Sequence, residues 1–200
     1  MFIIAAAVFD LFDGRVARMV KGSSEFGEQF DTLSDFLSFG IAPGILIYRS
    51  AQGTFGNGVW IAAFVYLFAV AVRLARFGVK SRPARKGFFE GLSSPPSAST
   101  LAAFVLFMSN FEWSEGQRAS SLMGLGLFLA VLMVSYLPFP TFKQTDWKSP
   151  DGRAALVCGV IGVAASIYRP SVFLFVWGFS FIVGVLIWNL ALRLRFARIA

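Results

Sequence analysis

The chain has 200 residues, of which 56% are hydrophobic and only 14% charged, and its net charge at pH 7 is +7. Soluble domains contain about a quarter charged residues, so this composition excludes an ordinary soluble protein and indicates an integral membrane protein. The sequence contains no histidine and a single cysteine, Cys158. A Ser-His-Asp triad, a histidine-ligated zinc site and a disulfide framework are therefore excluded.

Long apolar stretches recur along the chain, and a stretch of about 17 to 25 residues can cross a bilayer as a helix. We predict seven spans, near residues 1–19, 28–50, 57–79, 96–111, 119–138, 152–168 and 171–194. The stretches are continuous rather than alternating, so strands are not expected and the predicted fold is an all-α polytopic transmembrane bundle. No repeat or soluble segment divides the sequence, which predicts one membrane domain over residues 1–200.

The basic residues are distributed unevenly between the two predicted sides of the membrane. If the helices alternate in direction, fifteen of the eighteen Lys and Arg residues share one side, and the other side keeps Arg49, Arg118 and Arg169. Cytoplasmic loops of membrane proteins are enriched in Lys and Arg, so the basic side is predicted to be cytoplasmic. Membrane topology thus explains the positive charge, and no nucleic-acid partner is expected.

The first predicted span has little apolar sequence before its first acidic residue. Only about eight apolar residues precede Asp10. At 1.5 Å of rise per residue, a helix starting at Met1 on the outer side would begin near the middle of the bilayer. We therefore expect one further helix before Met1, which would make an eight-helix bundle.

Four aspartates lie within or at the edge of the first two predicted spans: Asp10, Asp13, Asp31 and Asp35. A carboxylate inside a bilayer is costly unless it is paired or metal-bound, so such residues are functional candidates. Spacings of three and four residues place each pair on one helical face, and a short connection brings the two pairs together. Oxygen donors of this kind suit Mg²⁺, Mn²⁺ or Ca²⁺, and two divalent ions would neutralise all four charges.

Small residues accompany the aspartates. Gly14, Ala17 and Gly27 each leave room either for a ligand or for a close contact between helices. The segment Asp10-Leu-Phe-Asp13-Gly14-Arg15-Val16-Ala17-Arg18, followed by Gly27, Asp31 and Asp35, resembles the signature of the CDP-alcohol phosphatidyltransferases.

This resemblance implies a CDP-linked lipid donor, release of CMP and a divalent-metal site. It implies that the metal ligands are Asp10, Asp13, Asp31 and Asp35. It also implies that Asp35 is the catalytic base that activates the acceptor hydroxyl. The nucleotide pocket would be formed by Gly14, Ala17 and Gly27, with Arg18 supporting it. We further expect a homodimer.

Segments further along the chain bear on the acceptor alcohol. Ser38–Pro43, Arg73–Phe77, Phe89–Pro95, Met133–Ser135 and Pro140–Lys143 resemble the phosphatidylserine synthases of the same family. This likeness implies CDP-diacylglycerol as donor and L-serine as acceptor. Glycerol phosphate and an inositol phosphate remain alternative acceptors. One departure is Ser93, which stands where a proline is expected.

Four residues are candidates for binding the acceptor or a phosphate: Arg73, Arg76, Glu90 and Ser94. Arg73 and Arg76 share a helical face at the predicted cytoplasmic end, where they either bind an anion or act as flanking charge. Glu90 either meets the serine ammonium group or pairs with a neighbouring arginine.

A cation transporter is the alternative of a different class, because intramembrane aspartates also line ion paths. A transporter predicts acidic residues spread across the depth of the membrane. The candidate aspartates instead cluster toward one surface.

Overall fold

The computed structural model describes residues 2–10, 25–56, 58–79, 88–140 and 169–197. Seven α-helices lie in these ranges: α1 (residues 2–10), α2 (Glu25–Phe36), α3 (Ala42–Phe55), α4 (Gly58–Val79), α5 (Ser94–Met108), α6 (Glu115–Val134) and α7 (Pro170–Ala197). A π-helical turn at Leu37–Ile41 joins α2 directly to α3. The chain is a helical membrane bundle, which confirms the predicted fold class.

Within the described residues, four helical segments are long and apolar enough to cross a membrane: Glu25–Ala51, Gly58–Gly78, Glu115–Val134 and Ser171–Ala191. Helix α5 is also apolar but has only 15 residues. The predicted span at 152–168 lies outside the described residues. Whether the chain forms one domain over residues 1–200 stays a prediction.

The starts of α5 and α6 differ from the sequence expectation. The predicted span begins near residue 96, but α5 begins at Ser94, so Pro95 and Pro96 lie in its first turn, where a missing N–H leaves no helical hydrogen bond unmade. Helix α6 begins at Glu115 because Ser114 and Gln117 form a capping box. The Gln117 N–H donates to Ser114 Oγ at 3.3 Å, and the Ser114 N–H donates to Gln117 Oε1 at 3.0 Å.

The expectation that the chain has no strands was wrong at one place. Strand β1 (Phe88–Glu90) pairs antiparallel with β2 (Pro138–Pro140), and Phe89 lies opposite Phe139. The pairing continues beyond β1, where the Gly91 N–H donates to the Leu137 carbonyl oxygen at 2.8 Å. Strands of three residues are too short to produce a recognisable alternating pattern in the sequence.

The core forms where α6 packs against both α3 and α4, while α3 also packs against α4 and α5 against α7. Gly126 of α6 permits the close approach to α3, because a Cβ atom at this position would lie 2.8 Å from Ile47 Cδ1. Tyr66, Leu122 and Leu129 are fully buried in the same region. These contacts hold α3, α4 and α6 together next to the helix that carries Asp31 and Asp35.

Gly91 occupies a backbone conformation that other residues rarely adopt, with φ of +77°. A Cβ atom there would lie 2.5 Å from the Met133 carbonyl oxygen and 2.8 Å from that of Ser135. We predict that Gly91→Ala lowers the free energy of unfolding by on the order of 2 to 5 kcal/mol, from backbone strain and overpacking together.

Thermal unfolding in detergent micelles measures the effect. Gly78→Ala in α4 is the matched control, since a Cβ there meets nothing within 4 Å. Its expected effect is a gain of about 0.5 to 1 kcal/mol. Equal stability of the Gly91→Ala variant and the wild type would contradict the prediction.

Candidate active site

Three aspartates converge at the start of the bundle. One carboxylate oxygen from each of Asp10, Asp31 and Asp35 lies within 4.8 Å of the other two. Asp10 is the last described residue of α1, and Asp31 and Asp35 lie one turn apart on one face of α2. Asp10 and Asp35 are half-buried and Asp31 is exposed, so the cluster is open on one side.

The donor set fits a hard divalent cation. Oxygen ligands of Mg²⁺ or Ca²⁺ lie about 2.0 to 2.6 Å from the ion, so two ligands of one ion are separated by at most roughly 5 Å. The separations within this cluster meet that limit. The structure thus brings together three of the four aspartates that the sequence predicted as ligands.

The remaining predicted site residues near the cluster have different positions. Gly27 lies on α2 one turn before Asp31 and is exposed. Asp13, Gly14, Ala17 and Arg18 lie outside the described residues, so their assignment stays a prediction.

Arg73 connects α4 to the start of α5. Its Nε donates to the Leu92 carbonyl oxygen at 2.9 Å, and its Nη1 donates to Ser94 Oγ at 2.9 Å. The negative charge of Asp35 also attracts this guanidinium group. Arg73 therefore fixes the start of α5 through Leu92 and Ser94, another of the predicted acceptor residues.

Arg76, one turn further along α4, is held by three contacts. Its Nη1 donates to the Val134 carbonyl oxygen at 2.8 Å, and its guanidinium carbon lies 4.3 Å from the centre of the Tyr136 ring. Its Nη2 lies 3.7 Å from Glu90 Oε2 and makes no hydrogen bond to the described residues. The pairing of Glu90 with a neighbouring arginine, one of the two sequence-based alternatives, is thus observed.

Some partners in this region were missed by sequence reasoning. The Leu92 and Val134 carbonyl oxygens are backbone acceptors, which leave no signal in the identity of a residue. Tyr66 was also missed, although its position seven residues before Arg73 places both on one face of α4. Its hydroxyl is fully buried and hydrogen-bonded.

A sequence profile described as CDP-alcohol phosphatidyltransferase matches residues 1–137. The chain belongs to the CDP-alcohol phosphatidyltransferase family. The match includes Asp10, Asp31 and Asp35, and it confirms the resemblance read from their spacing.

Relatives within this phosphatidyltransferase family share the name CDP-diacylglycerol–serine O-phosphatidyltransferase. The Helicobacter pylori (strain J99) protein is 34% identical over 147 residues, which are 73% of this chain and 62% of the relative. The Mycobacterium leprae protein is 29% identical over 88% of this chain and 59% of its own length. The Methanocaldococcus jannaschii protein is 33% identical over 71% of this chain and 63% of its own length. The chain thus spans about three fifths of the length of these relatives.

The aspartate cluster predicts a measurable metal affinity. We expect Asp31→Asn to raise the Kd for Mn²⁺ at least about tenfold, because a neutral amide replaces one charged oxygen ligand. Electron paramagnetic resonance titration of free Mn²⁺ against the chain in detergent measures the Kd.

Glu28→Gln is the matched control. Glu28 is an exposed acid one turn earlier on the same helix and lies outside the cluster. Its removal should change the Kd less than about twofold, because Glu28 supplies no ligand oxygen to the cluster and an exposed charge contributes little by itself. Equal Mn²⁺ affinities of the Asp31→Asn and Glu28→Gln variants would show that Asp31 is not a ligand.

Ser93 already has the backbone conformation of a proline, with φ of −72° and ψ of 149°. Among the described residues its side chain makes no cap hydrogen bond, and its N–H has no backbone acceptor. We therefore predict that Ser93→Pro raises the free energy of unfolding by about 0.4 to 1 kcal/mol, because it restricts the unfolded chain.

Thermal unfolding in micelles tests this substitution. Ser120→Pro is the control for an unsuitable site, because Ser120 lies inside α6, where proline costs about 3 kcal/mol. A loss of stability in the Ser93→Pro variant would contradict the prediction.

Proposed function

We propose that this membrane enzyme transfers a phosphatidyl group from CDP-diacylglycerol to L-serine and releases CMP. The observation that carries the proposal is the convergence of Asp10, Asp31 and Asp35 in a chain of the CDP-alcohol phosphatidyltransferase family. The names of its relatives favour serine as the acceptor.

The reaction is one displacement at phosphorus. Asp35 accepts the proton of the serine hydroxyl group, which makes the serine oxygen a better nucleophile. A bond forms between this oxygen and the phosphorus next to diacylglycerol. The bond from that phosphorus to the bridging oxygen of the pyrophosphate breaks, and CMP leaves with the bonding electrons.

The carboxylates of Asp10, Asp31 and Asp35, together with Asp13, form the proposed cation site. Mg²⁺ or Mn²⁺ is the proposed metal, with two ions in the complete site. A divalent cation bound here supplies positive charge to the pyrophosphate and to the leaving CMP. Gly14, Ala17 and Gly27 are the proposed lining of the nucleotide pocket, and Arg18 supports it.

The proposed acceptor region lies beside Arg73 and Arg76. A guanidinium group has five N–H donors, and Arg73 uses two of them for Leu92 and Ser94. Arg73 lies at the end of α4 nearest to Asp35. Its remaining N–H donors suit the carboxylate of serine. Glu90 lies beside this region and is paired with Arg76.

We propose that the active site faces the cytoplasm. Arg73 and Arg76 lie at the end of α4 that is next to the aspartate cluster. Arg49, near the end of α3, and Arg118, near the start of α6, lie toward the other side of the bundle. This distribution agrees with the enrichment of basic residues on the cytoplasmic side. A homodimer is proposed as the assembly, with the lipid bilayer around it.

Ion transport receives less support from the arrangement. A transporter would distribute acidic residues along a path through the membrane. In the described part of the chain, Asp10, Asp31 and Asp35 meet at one place, whereas Glu112 lies before α6 and Glu115 is the first residue of α6.

The test measures CMP release from labelled CDP-diacylglycerol by the purified chain in micelles. L-serine, glycerol 3-phosphate and inositol phosphate are offered separately. We expect release with serine, and we expect Asp35→Asn to lower kcat by about 10² to 10⁴, the range for losing a general base.

Glu115→Gln, an exposed acid at the start of α6, is the control and should retain wild-type kcat. Release only with another alcohol would replace serine as the acceptor. Ion flux in vesicles without any CMP release would instead favour a transporter.

A further inference from the structure

The π-helical turn at Leu37–Ile41 begins two residues after Asp35. In this turn the Ala42 N–H donates to the Leu37 carbonyl oxygen, five residues back instead of four. Pro43 comes next and has no N–H to donate to the carbonyl oxygen of Phe39, four residues before it. The α-helical donor for this carbonyl group is therefore absent, and Phe39 itself is buried.

The Tyr66 hydroxyl provides the missing hydrogen bond. It donates to the Phe39 carbonyl oxygen at 3.3 Å, and it lies 3.3 Å from Ser97 Oγ. A hydroxyl group has one proton, and a carbonyl oxygen can only accept. The Tyr66 proton is therefore committed to Phe39, and Ser97 donates its own proton to the Tyr66 oxygen.

The contact of Tyr66 with Ser97 is one of two side-chain hydrogen bonds that join the described residues of α4 and α5, and we call the pair the junction. Tyr66 and Arg73 lie seven residues apart on one face of α4, and Ser97 and Ser94 lie three residues apart on one face of α5. Tyr66 meets Ser97, and Arg73 meets Ser94. The junction connects the π turn with Arg73.

The π turn also determines where the aspartates face. It inserts one residue into the helix, which rotates the preceding segment by about 100° relative to an uninterrupted α-helix. Asp31 and Asp35 lie before the π turn, and Ile47 lies after it, where it is buried against α6. Because the core fixes α3, the turn sets the direction of both carboxylates.

We propose that Tyr66 is a positioning residue: its hydrogen bond to the Phe39 carbonyl oxygen stabilises the π turn and thereby aims Asp31 and Asp35 at Asp10. Pro43 acts in the same direction, because it prevents the turn from closing as an α-helix. The effect on cation binding stands on the geometry alone, and the effect on catalysis rests on the proposed function.

The first experiment uses Tyr66→Phe, which removes the hydroxyl group and keeps the ring. With the purified chain in micelles, we expect the Kd for Mn²⁺ to rise about tenfold, as for the loss of a group that orients metal ligands. Serine-dependent CMP release should show kcat lowered by a similar factor, with the KM for serine within about twofold. Ser97→Ala, which leaves the Tyr66 to Phe39 bond in place, is the matched control and should change the Kd less than about twofold.

The second experiment uses Pro43→Ala, which returns an N–H to position 43 and permits α-helical closure at Phe39. Alanine favours the helix, so Tm should stay equal or rise. The Kd for Mn²⁺ should nevertheless rise about tenfold, because the aspartates rotate away from Asp10. Tyr66→Phe alone should lower Tm, because the Phe39 carbonyl oxygen loses its donor. In a chain with both Tyr66→Phe and Pro43→Ala, Tm should return toward the wild-type value, while the Mn²⁺ affinity stays low.

A merely structural role for Tyr66 predicts the opposite pattern, in which Mn²⁺ affinity follows Tm in every variant. Wild-type Mn²⁺ affinity in a folded Tyr66→Phe or Pro43→Ala variant would overturn the proposal, and so would a wild-type chain that does not bind Mn²⁺. If Tyr66→Phe does not fold, the result for Pro43→Ala decides.

The same measurements separate this proposal from the proposed function. Weaker Mn²⁺ binding in both variants, with no serine-dependent CMP release by the wild type, would refute the serine transferase and retain the positioning role. Serine-dependent release by the wild type, with unchanged Mn²⁺ binding in both variants, would do the reverse.

Discussion

A polar group inside a bilayer must find its partner within the protein, because hydrocarbon offers neither hydrogen bonds nor counter-ions. The polar contacts of this bundle follow from that constraint. The carboxylates of Asp10, Asp31 and Asp35 gather where one cation can serve all three. The Phe39 carbonyl oxygen has no helical donor, because Pro43 lacks an N–H. It accepts a hydrogen bond from the hydroxyl group of the buried Tyr66 instead. In both cases, a polar group in the apolar region requires a second polar group beside it.

The same constraint explains why arginines bind backbone oxygens at the end of the bundle that carries the aspartates. The last carbonyl groups of a helix have no partner within the helix and carry partial negative charge. Arg76 satisfies the Val134 carbonyl oxygen at the end of α6 at 2.8 Å. An arginine that the sequence offered as a candidate for anion binding thus stabilises the fold, and it can serve both purposes because its guanidinium group has five donors.

The features that could be predicted from the sequence depend on local spacing. Apolar run length predicted the helices, and intervals of four residues predicted that Asp31 and Asp35 share a face. The contacts of Arg73 and Arg76 could not be predicted, because their acceptors include carbonyl oxygens distant in the chain. The π turn has a sequence cause in Pro43, but its stabilisation by Tyr66 depends on how α4 packs. The start of α5 was predicted near residue 96 instead of at Ser94, because proline is read from sequence more readily as the end of a helix than as its first turn.

The pairing of β1 with β2 has a consequence for the order in which the protein is assembled during synthesis. Chains emerge from the ribosome amino terminus first, and contacts distant in sequence must wait for the later partner. Strand β2 follows β1 only after the whole of α5 and α6 has been made. Val134 and Tyr136, which hold Arg76, are made just before β2. The aspartates of α1 and α2 are thus synthesised before the residues that hold Arg76, so the proposed acceptor region is completed only after α6 has been made.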